Sequence, residues 1–218
     1  SWEDGAVVRD RESGIFTHPD KVHPIRHSGK HFNVPGIHLS EPSPQRTPVL
    51  YQAGASSRGK DFAGAHAECI FVASPSKPVL KRYVANVREA AERVGRNPRE
   101  ILAFNLQTVI LGETDAEAQR KFNEYRKYAS FEGALTLISG WTGIDFGQFG
   151  PDEVLRHRHT NAVQSAVETF TTIDPTKEWT VREMADWVGI GGFGPVFVGS
   201  PQTVADLMQE WIEDTDVD

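Results

Sequence analysis

The sequence predicts an α/β fold built from parallel βαβ units. Apolar runs and helical segments alternate three times along the chain, and each apolar run is continuous instead of alternating with polar residues. Strands of a parallel sheet read this way because helices cover the sheet and both strand faces are buried. The predicted strands cover 48–53, 68–73 and 101–111, and the predicted helices cover 57–67, 77–94 and 115–129.

Capping residues mark where several helices begin and end. In a capping box a Thr hydroxyl and a Glu carboxylate satisfy free backbone N–H groups reciprocally, and two are predicted: Thr114 with Glu117, and Thr180 with Glu183. Ser200-Pro201 is an N-cap followed by Pro in the first turn, which predicts a final helix reaching the C-terminus. Gly95 is the expected stop of the helix 77–94.

The rest of the chain is less regular. A hairpin over 22–34 is predicted to turn at Ser28-Gly29. Residues 130–194 combine glycine-rich loops with two helices, 151–173 and 180–188, and a short strand follows at 195–198. We therefore divide 1–218 into four parts: a lead-in over 1–46, βα units over 47–129, a glycine-rich region over 130–194, and a final strand and helix over 195–218.

Length suggests that this domain is part of something larger. A closed eight-stranded α/β barrel needs about 250 residues, whereas this chain has 218 and supplies only three or four strands. Its last residues are acidic, at the point where a helix should lead into another strand. We therefore expect the sequence to be cut at both ends.

Composition excludes several classes of partner. The 30 acidic and 23 basic side chains give a formal net charge of −7, which repels nucleic acid. No apolar run approaches the roughly 18–20 residues needed to cross a bilayer. The single cysteine, Cys69, rules out an internal disulfide and fits a reducing cytoplasm. It lies beside an apolar run, and we expect it to be a buried small hydrophobic residue.

The best candidate site follows the first predicted strand. Gly54, Ala55, Ser56 and Ser57 lie between that strand and the next helix, and Arg58 follows them. Free N–H groups and the positive end of a helix dipole favour a phosphate at such a position, and serine hydroxyls add donors. The alternative is purely structural: Ser56 or Ser57 is an ordinary N-cap and Gly54 an ordinary turn glycine. The spacing is neither a P-loop nor a dinucleotide fingerprint.

Other patterns are weaker. In the predicted hairpin His23 and His27 share one face while His31 lies on the other, so we expect no metal site there. The spacing of His157 and His159 on a predicted helix also argues against shared ligation. The glycine-rich segment 189–195 could be a lid or a phosphate cradle, and the aromatic loop 140–146 could cover a planar ligand, although aromatic residues more often fill a core.

Several stretches together resemble the nitrilotriacetate monooxygenase component A family, which belongs to the bacterial-luciferase-like, FMN-dependent two-component monooxygenases. They occur in order along essentially the whole chain: 1–6 (SWEDGA), 14–16 (GIF), 20–23 (DKVH), 43–49 (SPQRTPV), 52–59 (QAGASSRG), 139–145 (SGWTGID) and 192–201 (GFGPVFVGSP).

The resemblance implies that 1–218 is a single incomplete barrel domain, the C-terminal half of a (β/α)₈ barrel with about strands five to seven, in which 130–194 is an insertion or lid region. It implies reduced FMN supplied by a separate NAD(P)H:FMN reductase, oxygen as co-substrate, a small organic substrate, a homo-oligomer and a cytoplasmic location. Gly54, Ala55, Ser56 and Ser57 would hold the FMN phosphate. Other flavin contacts of the family have no counterpart here, so no catalytic residue is named, and activity of this segment by itself is doubtful.

Two alternatives stay open. The chain could be a non-catalytic half barrel that acts as a binding or assembly module, or a degenerate remnant. It could also belong to a related barrel that uses a deazaflavin for hydride transfer, which the motifs disfavour. The substrate's identity does not follow from the sequence.

Overall fold

The computed structural model describes residues 1–54, 56–74, 76–156, 167–168, 170 and 178–218. The chain forms two compact units, Ser1–Val49 and Leu50–Asp218. None of the helices within the described ranges is both long enough and apolar enough to cross a membrane. The division of the larger unit into βα units, insertion and final helix stays a prediction.

The first unit consists of two small antiparallel ribbons. Strands β1 (Val7–Asp10) and β2 (Ile15–Thr17) pair with each other, and a short 3₁₀ turn follows at Pro19–Lys21. Strands β3 (His27–Ser28) and β4 (Asn33–Val34) form the second ribbon.

The hairpin predicted over 22–34 exists, but its predicted turn is wrong. Ser28 pairs with Asn33, and the Gly29 N–H donates to the Phe32 carbonyl at 2.9 Å, so the loop is four residues long instead of two. The Gly29 site is also crowded, because a Cβ there would lie 2.7 Å from Nε2 of His27. The pairing of His27 with Lys30 that a two-residue turn requires is therefore absent.

The second unit contains the predicted parallel sheet. Strands β5 (Tyr51–Gln52), β6 (Cys69–Val72) and β7 (Leu102–Asn105) lie in the order β5-β6-β7, and both pairings are parallel. Helix α1 (Ser57–His66) connects the first two strands and α2 (Lys77–Arg93) connects the second two. The alternation of strand and helix read from the sequence is thus confirmed, although β5 is shorter than the predicted 48–53.

One face of this sheet carries the core. Ile70, Val72 and Ala103 are buried and belong to the same apolar cluster as Leu80 and Val84 of α2. Cys69 is buried as well, as predicted. Helix α1 lies directly on α2, since a Cβ at Gly64 would come within 2.6 Å of the Ala90 Cβ.

The opposite face of the sheet is an aromatic ladder. Tyr51 stacks on Phe71 with 5.2 Å between ring centroids, and Phe71 lies 5.8 Å from Phe104 on the next strand. Tyr51 and Phe71 are 54% and 52% exposed. These three rings, one from each strand, form what is called below the aromatic face.

The third predicted strand, 101–111, is two strands. β7 ends at Asn105, and β8 (Thr108–Leu111) pairs in parallel with β9 (Val196–Gly199) in a separate ribbon. The break lies where Gly194 approaches the backbone: a Cβ at Gly194 would be 2.2 Å from the Leu106 carbonyl oxygen. Helix α3 (Asp115–Arg126) follows β8.

Helices α4 (Phe131–Thr142) and α5 (Val181–Gly191) pack together, and α6 (Pro201–Thr215) follows β9. The Thr180–Glu183 capping box is confirmed in both directions. The Thr114 box is half present, because Thr114 accepts from the Glu117 N–H while the Glu117 carboxylate accepts from the Glu113 N–H. Ser200 caps α6 as predicted.

Two predictions for the 130–194 region are wrong. Its first part is not loop, because α4 runs through Gly140 and Trp141 and ends at Gly143 with a φ of +69°. No helix starts at Pro151: the chain turns there, and Val154 forms an antiparallel bridge with Thr180. The remainder of the predicted helix 151–173, apart from residues 167, 168 and 170, lies outside the described residues.

Candidate functional site

The loop after β5 is a tight backbone cradle between strand and helix. A Cβ on Gly59 would lie 2.5 Å from the Gly54 carbonyl oxygen, so the first turn of α1 contacts the loop with no side chain between them. A Cβ on Gly54 would lie 2.6 Å from the Gln52 amide nitrogen. Glycine is therefore required at Gly59, where the contact is with backbone, whereas the neighbour of Gly54 is the end of a flexible side chain. The absence of a side chain at Gly59 keeps the backbone accessible at the start of the helix.

Ser56 is the N-cap of α1. Its hydroxyl accepts from the Gly59 N–H at 3.1 Å, and its carbonyl accepts from the Lys60 N–H at 2.9 Å. Ser56 is therefore an N-cap, as the structural alternative predicted. Its hydroxyl proton can rotate, so the same hydroxyl can still donate a hydrogen bond to a ligand. Ser56, Ser57 and Arg58 are exposed.

The charge at this helix end favours an anion. The first turn of α1 has no acidic residue, and the first N–H groups of a helix have no partner within the helix. The helix dipole adds partial positive charge at the same place. An exposed serine pair, Arg58 and these N–H groups together suit a phosphate or a similar oxyanion.

Tyr83 of α2 fixes the loop through a hydrogen bond. Its hydroxyl donates to the Gly54 carbonyl at 2.9 Å, and its side chain is only 8% exposed. Burial raises the pKa of Tyr83 to about 12, so the phenol stays protonated and remains a donor at neutral pH. The Lys60 ammonium lies 6.0 Å from the centre of the Tyr83 ring, at the outer limit of a cation–π contact.

The structure therefore brings three of the four predicted site residues together at the carboxyl end of β5: Gly54, Ser56 and Ser57. Ala55 lies outside the described residues. Sequence reasoning missed Tyr83, and it included Gly59 in the candidate segment 52–59 without giving it a role. Gly59 carried a signal, since glycine in the first turn of a helix costs stability unless something needs the space. Tyr83 carried none, because 29 residues separate it from its partner.

The other candidate patterns belong to the core or lie outside the described residues. Trp141 packs against Phe193 with 4.6 Å between ring centroids, inside the apolar cluster of α4 and α5. Gly189 and Gly191 are in α5. No group of three or more potential metal ligands exists in the described part of the chain, and His157 and His159 are not in that part.

Comparison with known proteins gives a consistent picture. Residues 13–218 match the family of luciferase-like monooxygenases. Dimethyl-sulfide monooxygenase of Hyphomicrobium sulfonivorans is 47% identical over all 218 residues, which are 45% of its own length. Long-chain alkane monooxygenase of Geobacillus thermodenitrificans is 42% identical over the same span, again 45% of its length. The chain thus spans about half the length of these relatives.

Nitrilotriacetate monooxygenase component A of Aminobacter aminovorans is 30% identical. The finer likeness inferred from motifs is therefore corrected: the sulfide and alkane enzymes are more similar to this chain.

Solved structures agree. The crystal structure of DmoA from Hyphomicrobium sulfonivorans covers the whole chain with a TM-score of 0.81 at 46% identity, through 46% of its own chain. Riboflavin lyase with modified FMN and riboflavin gives a TM-score of 0.82 at 34% identity, through 47% of its chain. The predicted α/β fold of a partial luciferase-like barrel is confirmed.

Proposed function

This chain belongs to the luciferase-like monooxygenase family, and on that premise we propose that it forms the carboxyl-terminal half of an FMN-dependent oxygenase. The observation that carries the proposal is the unbroken match of all 218 residues to two monooxygenases at 47% and 42% identity. Reduced FMN, when bound, supplies the electrons that activate oxygen, and the protein supplies binding and orientation.

The loop after β5 fits the FMN phosphate. The contact of Gly54 with Gly59 leaves the backbone at the helix start uncovered, and the exposed hydroxyls of Ser56 and Ser57 lie beside free N–H groups. Ala55, which lies between Gly54 and Ser56 in the sequence, is included in the proposed site on the family resemblance. Tyr83 positions the loop through the Gly54 carbonyl and does not contact the phosphate in this proposal.

The proposed substrate is an organic molecule of the sulfide or alkane kind, because the relatives at 47% and 42% identity are named for dimethyl sulfide and for long-chain alkanes. The proposed partner is a separate NAD(P)H:FMN reductase in the cytoplasm. A relative named as a component A supports a system of more than one protein.

The complete oxygenase that carries this chain should consume oxygen only when a reductase is added. The Gly-x-Gly-x-x-Gly spacing in these 218 residues, at Gly189, Gly191 and Gly194, runs from the end of α5 toward β9 and does not lie between a strand and the helix after it, as a dinucleotide loop does. An oxygen electrode with NADH, FMN and substrate, with and without reductase, measures this. Rapid NADH oxidation by the oxygenase alone would contradict the proposed partner.

Ser56→Asp tests the phosphate site in the same protein. Aspartate is as good an N-cap as serine, so α1 should be preserved while a carboxylate faces the phosphate. We expect FMN to bind about 2 kcal/mol more weakly, or roughly 30-fold, measured by flavin fluorescence titration. Ser56→Ala should weaken binding by about 1 kcal/mol.

Ser130→Asp is the matched control. Ser130 caps α4 in the same way, with its hydroxyl accepting from the Gly133 N–H at 3.0 Å. This variant should bind FMN as the unchanged protein does. Equal FMN affinity in Ser56→Asp and Ser130→Asp would contradict the proposal that this loop binds the FMN phosphate.

A further inference from the structure

The cluster of α4 and α5 encloses a small cavity that the proposed flavin site does not use. Its volume is about 60 Å³. Its apolar walls come from both helices and from the segment that follows α4, and include Ile138, Ile144, Phe146, Phe149, Val181 and Met184. Gly54, Ser56 and Ser57 are not among the residues that line it.

The polar groups on the walls are engaged or exposed. The Thr142 hydroxyl donates to the Ile138 carbonyl at 2.7 Å and accepts from the Ile144 N–H at 3.3 Å. The charged lining residues Glu153 and Arg156 are both exposed, which places their charges at the rim. The Glu153 carboxylate also accepts from the Gly150 N–H at 3.3 Å.

Such an interior disfavours water and favours an apolar guest. A buried water makes two to four hydrogen bonds, and among the described lining residues no buried side-chain donor or acceptor is without a partner. Apolar cavities in proteins stay dry and bind apolar molecules of matching size. The 60 Å³ is about four to six times the roughly 10–15 Å³ that one water molecule needs. The space therefore admits a molecule of a few heavy atoms.

We propose that this cavity is a binding site for one small, uncharged, apolar molecule, of the short alkane or thioether class. The proposal deepens the proposed function in one respect only, since a substrate of that class would be a natural occupant. The site itself depends on the cavity walls and not on flavin, so either proposal can fail without the other.

The two methionines make a direct test possible. Met184 lines the cavity, and Met208 packs against the separate cluster around α2 and α6. In the 218-residue chain with ¹³C-labelled methionine methyl groups, dimethyl sulfide is the probe. We expect a saturable shift of the Met184 methyl signal and no saturable shift of Met208. Dimethyl sulfoxide, which has the same carbon skeleton plus a strongly polar oxygen, should bind at least about fivefold more weakly.

Filling the cavity should abolish binding. Val181 is fully buried in the wall, so Val181→Phe should weaken dimethyl sulfide binding at least about tenfold, and Val181→Ile, which adds one carbon, by about threefold. Val204→Ile makes the same addition in the other cluster, at 4% exposure, and should change nothing. If Val181→Phe fails to fold, Val181→Ile decides.

A Met184 shift that does not saturate, equal saturable shifts of both methionines, or unchanged affinity in Val181→Ile would each overturn the proposal.

Discussion

Tyr83 shows how one residue far along the chain fixes the shape of the candidate site. Its phenol is the donor that holds the Gly54 carbonyl in place, 29 residues away. The cap at Ser56 was predictable, because an N-cap depends on neighbours within three residues. The Tyr83 contact was not, since it depends on how α2 lies across the sheet.

Tyr83→Phe removes this hydrogen bond and leaves the ring in place. We expect a loss of about 1 kcal/mol in the free energy of unfolding at pH 7.5, measured by urea denaturation. Tyr128→Phe changes a tyrosine that is 83% exposed and should have no effect. Equal stability of the Tyr83→Phe variant and the unchanged protein would mean that the bond contributes nothing.

The difference in the free energy of unfolding between the unchanged protein and Tyr83→Phe should depend on pH. Burial raises the Tyr83 pKa from 10.0 to about 12. A raised pKa in the fold means that the contribution to stability is complete below pH 10 and is lost as pH rises toward 12. The difference between the unchanged protein and Tyr83→Phe should therefore narrow over that window. A constant difference would contradict the assigned pKa.

At the scale of elements, Asp115 joins two helices that are distant in sequence. It lies in the first turn of α3, and its Oδ1 accepts from the Ser200 N–H and the Thr203 hydroxyl, both at 2.7 Å, at the start of α6. The hydrogen bond from the Ser200 backbone, with those from Thr203 and Ser200 side chains, lowers the pKa of Asp115.

Asp115→Asn keeps an acceptor but removes the charge, so charge-assisted bonds become neutral ones. We expect the melting temperature at pH 7 to fall by about 2 °C. Because the Asp115 pKa is lowered in the fold, its contribution is present above pH 3.8 and is lost as pH falls below that value. The two proteins should therefore converge in acid.

Asp206→Asn on the exposed side of α6 is the control for Asp115→Asn, because among the described residues the Asp206 carboxylate accepts from Gln202 of its own helix and not from another element. Calorimetry from pH 7 to pH 3 measures all three proteins. A deficit in Asp115→Asn that persists at pH 3 would show that the charge is not the cause.

Helices whose capping residues were recognised in the sequence were predicted well. Helices α1, α3, α5 and α6 begin where those capping residues place them. Helix α4 was missed because Gly133 and Gly140 lower its helix propensity, whereas packing against α5 stabilises it. The break between β7 and β8 was missed because Gly194 acts on it from 88 residues away.

At the scale of the whole molecule, the sheet order followed from the βαβ alternation, since short crossovers place successive parallel strands side by side. Which face stays uncovered did not follow, because all three strands read as buried on both sides. The structure leaves the aromatic face of Tyr51, Phe71 and Phe104 without a covering layer from the described residues. In a closed barrel such a face is the packed interior.

The 218-residue chain by itself should therefore self-associate at micromolar concentration, as judged by sedimentation velocity. Covering exposed apolar surface stabilises an assembly by about 25 cal/mol per Å². Association of two chains through their aromatic faces is therefore favourable. Phe71→Glu should shift the chain toward monomer. Tyr128→Glu changes an isolated exposed ring and should not. A monodisperse monomer in the unchanged chain would contradict this expectation.

The direct contact of Gly64 with Ala90 couples anion binding at the loop to the packing of α1 on α2. At this point the Gly64 backbone lies directly against Ala90 of α2, so α1 cannot shift without disturbing its neighbour. The loop at the start of α1 is also connected to α2 through the Tyr83 hydrogen bond. If anion binding at the start of α1 favours the packing of α1 on α2 by some factor, tighter packing of α1 on α2 increases the affinity for the anion by the same factor, because coupling between two equilibria is reciprocal. The affinity of the loop for phosphate therefore also reports how tightly α1 packs on α2.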